Sequence, residues 1–165
     1  MAEAANIQSD FADLIGQQAW RVSRIRGSMF FLEIGEKKTD RYEFRGEQRE
    51  DVHGKWCFMF SMAQWRFERS GQIIIACEDD PKSIDDTFHQ MELGSILDIA
   101  ITTSGRDLTV SFRSGFALKT FSHTSSQADW DQWTLYCPND RVWVADGRNN
   151  LISGLGSQPR PEVIL

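Results

Sequence analysis

Three cysteines and three histidines are the side chains of this sequence best suited to nucleophilic or metal chemistry. They are Cys57, Cys77, Cys137, His53, His89 and His123. Metal sites bring such residues together at short spacings such as CxxC or HxH, and neither spacing occurs here. A Cys–His pair assembled by folding stays open, because its members need not be close in sequence. We predict ordinary histidines, reduced cysteines in or near the core, and no metal or cofactor.

The motifs of common enzyme classes are also missing. No serine lies in a G-x-S-x-G turn, and the glycine-rich residues 147–156 lack the Lys-Ser/Thr pair of a phosphate-binding loop. The 24 acidic residues allow paired carboxylates only in a trivial sense. The sequence therefore predicts a protein that is not an enzyme.

The densest local charge is an acidic connector at residues 78–86. Five of its nine residues are acidic and one, Lys82, is basic. The acidic residues are Glu78, Asp79, Asp80, Asp85 and Asp86. A patch of this kind speeds association with a cationic partner. The alternative is a solvated loop before a short helix over residues 83–91, with Ser83 as its N-cap and acids in its first turn.

Trp130 is the second candidate contact residue. It lies between Asp129 and Asp131, three positions before Trp133. On a strand, two residues at this spacing face opposite sides. We predict that Trp133 belongs to the core and that Trp130 is an exposed anchor for a partner, because tryptophan is enriched at interface hot spots. The alternative is that Trp130 covers the end of a barrel.

Size and charge exclude several classes of protein. The chain has 165 residues, a formal charge of −6 and a pI near 5.0. Nucleic-acid binding needs clustered Lys and Arg, which this balance does not favour. The first ten residues lack the basic and apolar regions of a secretory signal, and no apolar run approaches the roughly 20 residues of a membrane span. We predict a cytoplasmic protein that binds neither nucleic acid nor membrane.

A stretch that occurs twice sets the architecture. Residues 14–35 and 92–113 align without a gap at an offset of 78, which places Gly16 on Gly94 and Gly27 on Gly105. Further along the chain, Trp65 aligns with residue 133 at an offset of 68. The first half therefore carries about ten extra residues, which fit the charged stretch before position 56.

Each half has the pattern of a short helix followed by about five strands. Apolar spacing predicts a helix over residues 7–15, and Gly27-Ser28 predicts a hairpin turn. Residues 42–44 predict an edge strand, residues 46–54 a loop, and residues 138–140 another hairpin turn. We predict one domain, 1–165, with repeats at about 7–77 and 84–146 and a flexible tail at 147–165. Its fold class is mainly β (α+β): pseudo-twofold duplicated antiparallel β units that close as a sandwich or barrel.

The second half resembles a known family. The resemblance rests on Leu93-Gly94, on the DLTVSF segment from Asp107 to Leu118, on Asp129 to Leu135 with its tryptophan, and on Val142 to Ala145. These segments are similar to those of small bacterial proteins of unknown function built from a duplicated β unit. Asp146-Gly147-Arg148 stands where that family has Pro-Gly-Gly. Similar acidic, β-rich proteins serve as immunity proteins of polymorphic toxin systems, so the resemblance implies this fold and such a role.

We therefore predict a non-enzymatic protein-binding module. Its most concrete form is an immunity protein that neutralises a basic toxin domain through an acidic surface. One alternative is a small-ligand-binding β-barrel or an enzyme of unrecognised type. The other is a structural homodimer that pairs through an edge strand or an exposed aromatic face.

Overall fold

The computed structural model describes residues 6–104, 106–122 and 130–157, and these form two helices and eleven strands. The helices are α1 (Ile7–Leu14) and α2 (Pro81–Gln90). The strands are β1 (Gln18–Arg26), β2 (Met29–Phe44), β3 (Glu47–Phe60), β4 (Gln64–Arg69), β5 (Gln72–Ala76), β6 (Gly94–Ile101), β7 (Leu108–Phe112), β8 (Phe116–Phe121), β9 (Asp131–Tyr136), β10 (Arg141–Asp146) and β11 (Leu151–Leu155). The predicted mainly β class is confirmed.

Both helices start at a side-chain cap. The Asn6 side chain accepts a hydrogen bond from the Gln8 N–H at the start of α1. After the end of this helix, Gly16 adopts a φ of +83°, which glycine takes readily. In α2 the cap is Asp80, which accepts from the Ser83 N–H at 3.0 Å. The prediction of Ser83 as the cap is wrong because Pro81 occupies the first helical position, which proline favours, and Asp80 precedes it.

All strands belong to one antiparallel sheet. Its order is β11-β10-β9-β3-β2-β1-β6-β7-β8-β4-β5. Strands β1 and β6 pair only at Gln18↔Ser95 and Ala19↔Gly94, so a narrow joint connects the two parts of the sheet. The outer strands β11 and β5 do not pair within the described residues. The predicted closure into a sandwich or barrel is therefore not confirmed, because the sheet is open.

The open sheet nevertheless curls over its own core. Phe30 in β2 and Phe67 in β4 lie five strands apart in the order, about 24 Å on a flat sheet. Their ring centroids are 6.0 Å apart, and Trp65 approaches Phe30 to 4.9 Å. Phe88 of α2 packs against the same three rings. Aromatic side chains therefore fill this part of the interior.

Over the first five strands on each side of the β1–β6 joint, the strand order is the same in both directions, and β11 is an additional strand on one side. On each side, three strands from one half of the chain are followed by a hairpin from the other half. Hairpin β9–β10 joins β3, while β4–β5 joins β8. The indole of Trp65 donates to the Ser28 carbonyl at 2.7 Å, and that of Trp133 to the Arg106 carbonyl at 2.9 Å. Positions 28 and 106 differ by 78, the offset at which residues 14–35 align with residues 92–113.

Two segments differ from the predicted elements. Residues 47–54, predicted as a loop, belong to β3 and pair with β2 as far as its tip. Residues 151–155 of the predicted flexible tail form β11, which pairs antiparallel with β10. Residues 158–165 of that tail lie outside the described residues, as do Gly105 and Asp129.

A buried carboxylate fixes α1 to the sheet. Asp10 is 1% exposed; it accepts hydrogen bonds from Arg141 Nη2 at 2.5 Å and from Trp143 Nε1 at 2.7 Å. Both donors lie on β10, more than 130 positions along the chain. The first helix is therefore held to a strand from the other half.

We expect Asp10→Ala to lower the free energy of unfolding by about 2–3 kcal/mol, because it leaves the buried Trp143 N–H and one guanidinium without their acceptor. Urea unfolding followed by tryptophan fluorescence measures this loss. The exposed Asp13, on the same helix, supplies the control: Asp13→Ala should change stability by no more than about 0.5 kcal/mol. Equal effects of the two changes would contradict the role given to Asp10.

Candidate functional site

Strands β2 and β3 extend beyond the sheet as a two-stranded ribbon, residues 36–55, which we call the arm. The ribbon stays paired from Lys37↔Gly54 to Phe44↔Glu47. It turns at Arg45 and Gly46, whose φ values of +53° and +80° are those of a two-residue hairpin turn. Every residue from 36 to 51 is exposed. At the base of the arm, the Lys37 ammonium lies 4.6 Å from the centre of the Trp20 ring of β1.

The arm bends where it leaves the sheet. The pairing shifts register between Ile34 and Lys37, and Gly35 has a φ of +80°. Opposite this bulge, a Cβ on Gly54 would stand 2.5 Å from the carbonyl oxygen of residue 34 and 2.7 Å from that of Trp56. Only glycine fits this position without moving the backbone.

One face of the arm carries its aromatic side chains. Tyr42 and Phe44 are two positions apart and so lie on the same face, and they are 47% and 44% exposed. The guanidinium groups of Arg49 and Arg45 lie 5.0 and 5.2 Å from the centre of the Phe44 ring. The tip therefore presents two aromatic rings with arginine stacked on one of them.

The arm has no net charge. Residues 36–55 contain six acidic and six basic side chains, so the charge of −6 belongs to the rest of the protein. Arg41 pairs across the ribbon with Glu50 at 2.8 Å, with both side chains more than half exposed. Exposed pairs of this kind contribute at most about 1 kcal/mol. The arm therefore presents charges of both signs with no net excess of either.

A cleft of about 660 Å³ lies at the base of the arm, and we call it the basal cleft. Its wall includes four residues of the aromatic face, Lys38, Asp40, Asp51 and His53, together with Arg21, Glu33, Cys57, Tyr136 and Cys137. The aromatic face of the arm and the cleft therefore form one continuous surface.

A buried carboxylate holds the arm to the body at this cleft. Glu33 is 4% exposed; it accepts from the Gly54 N–H at 2.7 Å and from Arg21 Nη2 at 3.3 Å. The same guanidinium nitrogen donates to the Val52 carbonyl at 2.7 Å. These bonds fix the start of the arm and leave its outer part free.

The thiols of the cleft are poor nucleophiles. Burial, together with the neighbouring Glu33 carboxylate, raises the pKa of Cys57 far above its usual range. Burial raises the pKa of Cys137 to about 12. Both side chains are therefore protonated thiols near neutral pH, and all three cysteines are free. Within the described parts of the chain, no three His, Cys, Asp or Glu side chains are grouped to hold a metal ion.

His53 joins the two strands at the arm's base. Its Nε2 lies 2.8 Å from Asp40 Oδ2 and its Nδ1 lies 3.0 Å from the Gly54 carbonyl oxygen. The hydrogen bond to the carbonyl and then the Asp40 carboxylate raise the pKa of His53, while partial burial opposes the rise. Two acceptors suit an imidazolium, which donates from both nitrogens.

We expect the His53 pKa to lie above 6.5 in the folded protein and to fall in the Asp40→Asn variant. Because the folded pKa is raised, protonation stabilises the fold. That contribution is complete below the unfolded pKa of about 6.5 and is lost as the pH rises through the folded pKa. Titration of the His53 ring protons by NMR measures the pKa, with Asp98→Asn on β6 as the control. An unchanged pKa in Asp40→Asn would show that the ion pair does not act on His53.

The acidic connector is largely satisfied within the protein. Asp80 caps α2, and its hydrogen bonds with Ser83 lower the pKa of that carboxyl group. Asp79 Oδ2 accepts from the Ala76 N–H at 2.8 Å. Glu78 is exposed. The first part of the connector thus shapes the turn between β5 and α2.

The remaining two acids form ion pairs. Both oxygens of Asp85 accept from Arg24, at 2.7 and 2.6 Å, and this guanidinium lowers the carboxyl pKa. Asp86 pairs with Lys82 one helical turn away. Neither acid is in the first turn of α2, where the sequence predicts both. Local cations therefore reduce the negative field that the sequence predicts.

Trp130 is 52% exposed, whereas Trp133 is fully buried. The Trp130 carbonyl accepts from the Gly147 N–H at 2.9 Å. This residue precedes β9, while the connector follows β5 at the opposite end of the strand order. The two predicted contact sites therefore do not lie on neighbouring strands of the sheet.

The sequence analysis did not predict the arm or the basal cleft. The one signal for the arm was the set of about ten extra residues in the first half of the chain.

No known protein family matches the sequence, and neither curated proteins nor solved structures provide a match. Neither of the two helices in the described residues has the length and apolar character needed to cross a membrane.

Proposed function

We propose that this protein is a non-enzymatic protein-binding module whose contact surface is the aromatic face of the arm together with the basal cleft. The observation that carries the proposal is the exposure of the arm on both faces, with Tyr42 and Phe44 at its tip. Tyrosine and arginine are among the residues most enriched at interface hot spots.

The sheet does not need the arm. At the offset of 78, Ile34 corresponds to Phe112, the last residue of β7. There the chain turns through residues 113–115 and enters β8 directly. The arm instead adds eight pairs beyond the register shift, a length of about 27 Å. A two-stranded ribbon is marginally stable alone in water, so a partner that packs on one face would stabilise it.

The neutral arm changes the kind of partner expected. A neutral surface with aromatic anchors selects a partner by shape and by individual charge pairs, whereas the predicted acidic surface selects it by net positive charge. Neutralisation of a toxin remains a proposal within this function. In that version the arm enters a groove of the toxin, and the acidic body speeds the encounter with a basic domain.

We also propose that the chain is a duplicated unit whose last hairpins have exchanged. The symmetric strand order, the paired indole hydrogen bonds of Trp65 and Trp133, and positive φ values at both Gly16 and Gly94 support this origin. Under the proposal, the arm is an elaboration of one copy, which fits a role outside the fold itself.

A shortened arm tests the binding function. Residues 35–55 are replaced by Arg-Ser-Gly, the turn of residues 113–115 that joins the corresponding strands. Immobilised wild-type and shortened proteins are exposed to the native cell extract, and the proteins retained are quantified. We expect the wild type to retain one protein at fixed stoichiometry and the shortened, folded variant to lose it. Equal retention would contradict the arm as the contact surface, and no specific retention by either would contradict the function.

A further inference from the structure

A small pocket lies beside β11 on the outer face of the sheet, the face turned away from the aromatic core. Its volume is about 170 Å³, and we call it the outer pocket. The described residues that line it include Met59, Thr134, Tyr136, Val142, Val144 and Ile152. Of the described residues in its lining, Asp131 alone is charged. The outer pocket is therefore mainly apolar.

The outer pocket is separate from the hydrophobic core. Trp143 and Ala145 belong to the core cluster, whereas Val144 between them does not, although it is only 8% exposed. Thr134 likewise lies between two core residues of β9 and is 4% exposed. Successive side chains of a strand point to opposite faces. Val144 and Thr134 are therefore buried on the outer face of the sheet.

The fold does not require an apolar surface at this place. At the offset of 68, Thr134 corresponds to Arg66. At the same offset, Tyr136 corresponds to Glu68. Glu68 accepts from Arg66 at 2.6 Å and pairs with Lys119 at 2.7 Å. Beyond the β1–β6 joint, the corresponding positions thus carry ion pairs, so the apolar residues of the outer pocket indicate a role in binding.

Gly154 leaves one wall of the outer pocket open. It pairs with Val142 and lies two positions from Ile152, so all three residues lie on the same face. A glycine inside a strand often marks a place that another molecule approaches closely. Strand β11 has no counterpart beside β5 among the described residues, so this wall is an addition to the duplicated strand order.

We propose that the outer pocket binds one apolar side chain, of the size of phenylalanine or leucine, from the partner that contacts the arm. Pockets for cofactors and drug-sized ligands measure roughly 300–1,000 Å³, whereas an apolar cavity of about 150 Å³ holds one benzene ring. Tyr136 lines both the outer pocket and the basal cleft, so a partner in the cleft also reaches the pocket. The inference therefore rests on the proposed function.

N-acetylphenylalaninamide is the probe that tests this inference, and NMR of the Val144 and Ile152 methyl groups reports its binding. We expect saturable shifts of these signals, with a dissociation constant on the order of 1–10 mM. N-acetylalaninamide, which lacks the ring, should cause none. Gly154→Val fills the pocket and should abolish the saturable shifts. Ser111→Val adds the same side chain to the outer face of β7 and should bind the probe as the wild type does.

Ile152→Ser provides a second test if Gly154→Val does not fold. It removes part of the apolar wall and should weaken binding of the probe. The thermal unfolding of each variant checks its fold.

The absence of a saturable shift in the wild type would overturn the inference, as would wild-type affinity in both Gly154→Val and Ile152→Ser. Binding that appears only after removal of residues 158–165 would also overturn it, in favour of this chain's own residues as the occupant. The shortened-arm protein keeps the outer pocket and should bind the probe. Arm-dependent retention of a partner without probe binding would overturn this inference alone, whereas failure of retention contradicts the proposed function.

Discussion

Replacing Tyr42 and Phe44 together by serine is expected to weaken binding of the retained partner at least about 100-fold. Each ring is nearly half exposed at the tip, on the face that continues into the basal cleft. An aromatic anchor contributes about 2 kcal/mol or more when it fills a partner's pocket, and every 1.4 kcal/mol is tenfold in affinity. Isothermal titration of the purified partner with wild type and variant measures the loss.

This change should leave the fold intact. Neither side chain contributes to the buried core, so the unfolding temperature should stay close to that of the wild type. Leu97→Ser supplies a control, because it removes a similarly exposed apolar side chain outside the arm. Trp130→Ser tests the site predicted from sequence. A large loss of affinity in Trp130→Ser with none in the tip variant would move the contact surface to β9.

Trp133→Ala is expected to cost about 4 kcal/mol of stability, more than any of the other substitutions. The side chain is fully buried, its ring lies 6.0 Å from that of Phe58, and its indole donates to the Arg106 carbonyl at 2.9 Å. The change removes a large apolar volume and the hydrogen bond that ties hairpin β9–β10 to the β6–β7 turn. Urea unfolding measures the difference.

Trp130→Ala is the matched control for this change, since the same residue type lies three positions earlier and is 52% exposed. It should alter stability by about 0.5 kcal/mol or less. Trp133→Phe keeps most of the volume and remains measurable if the alanine variant does not fold. Equal losses from Trp130→Ala and Trp133→Ala would contradict the assignment of Trp133 to the core.

The sequence predicts those features that depend on residues close together in the chain. The helix over residues 7–15 follows from apolar spacing, and the turn at Gly27-Ser28 follows from the freedom of glycine. At the gap-free offset of 78, strands β1 and β2 overlap β6 and β7. Trp133 is predicted in the core and is 0% exposed, and Trp65, which aligns with it, is 2% exposed.

Features that depend on distant partners could not be predicted in this way. Hairpin β9–β10 pairs with β3, and hairpin β4–β5 pairs with β8. These pairings do not change the order of apolar and polar residues within any strand, so a closed barrel is equally consistent with the sequence. The ion pair of Arg24 with Asp85 joins residues 61 positions apart. The sequence therefore does not show that Arg24 neutralises part of the acidic connector. The sequence predicts part of the arm as a loop because both of its faces are polar, which removes the alternation that indicates a strand.

Hydrogen exchange of the free protein and of its complex with the retained partner tests the central claim most directly. Residues 36–51 of the arm are all exposed, so its amides should exchange rapidly in the free protein. In the complex we expect strong protection at residues 37–52 and around the basal cleft, with little change at residues 78–86. Protection confined to residues 78–86 or to Trp130, with an unchanged arm, would contradict the account.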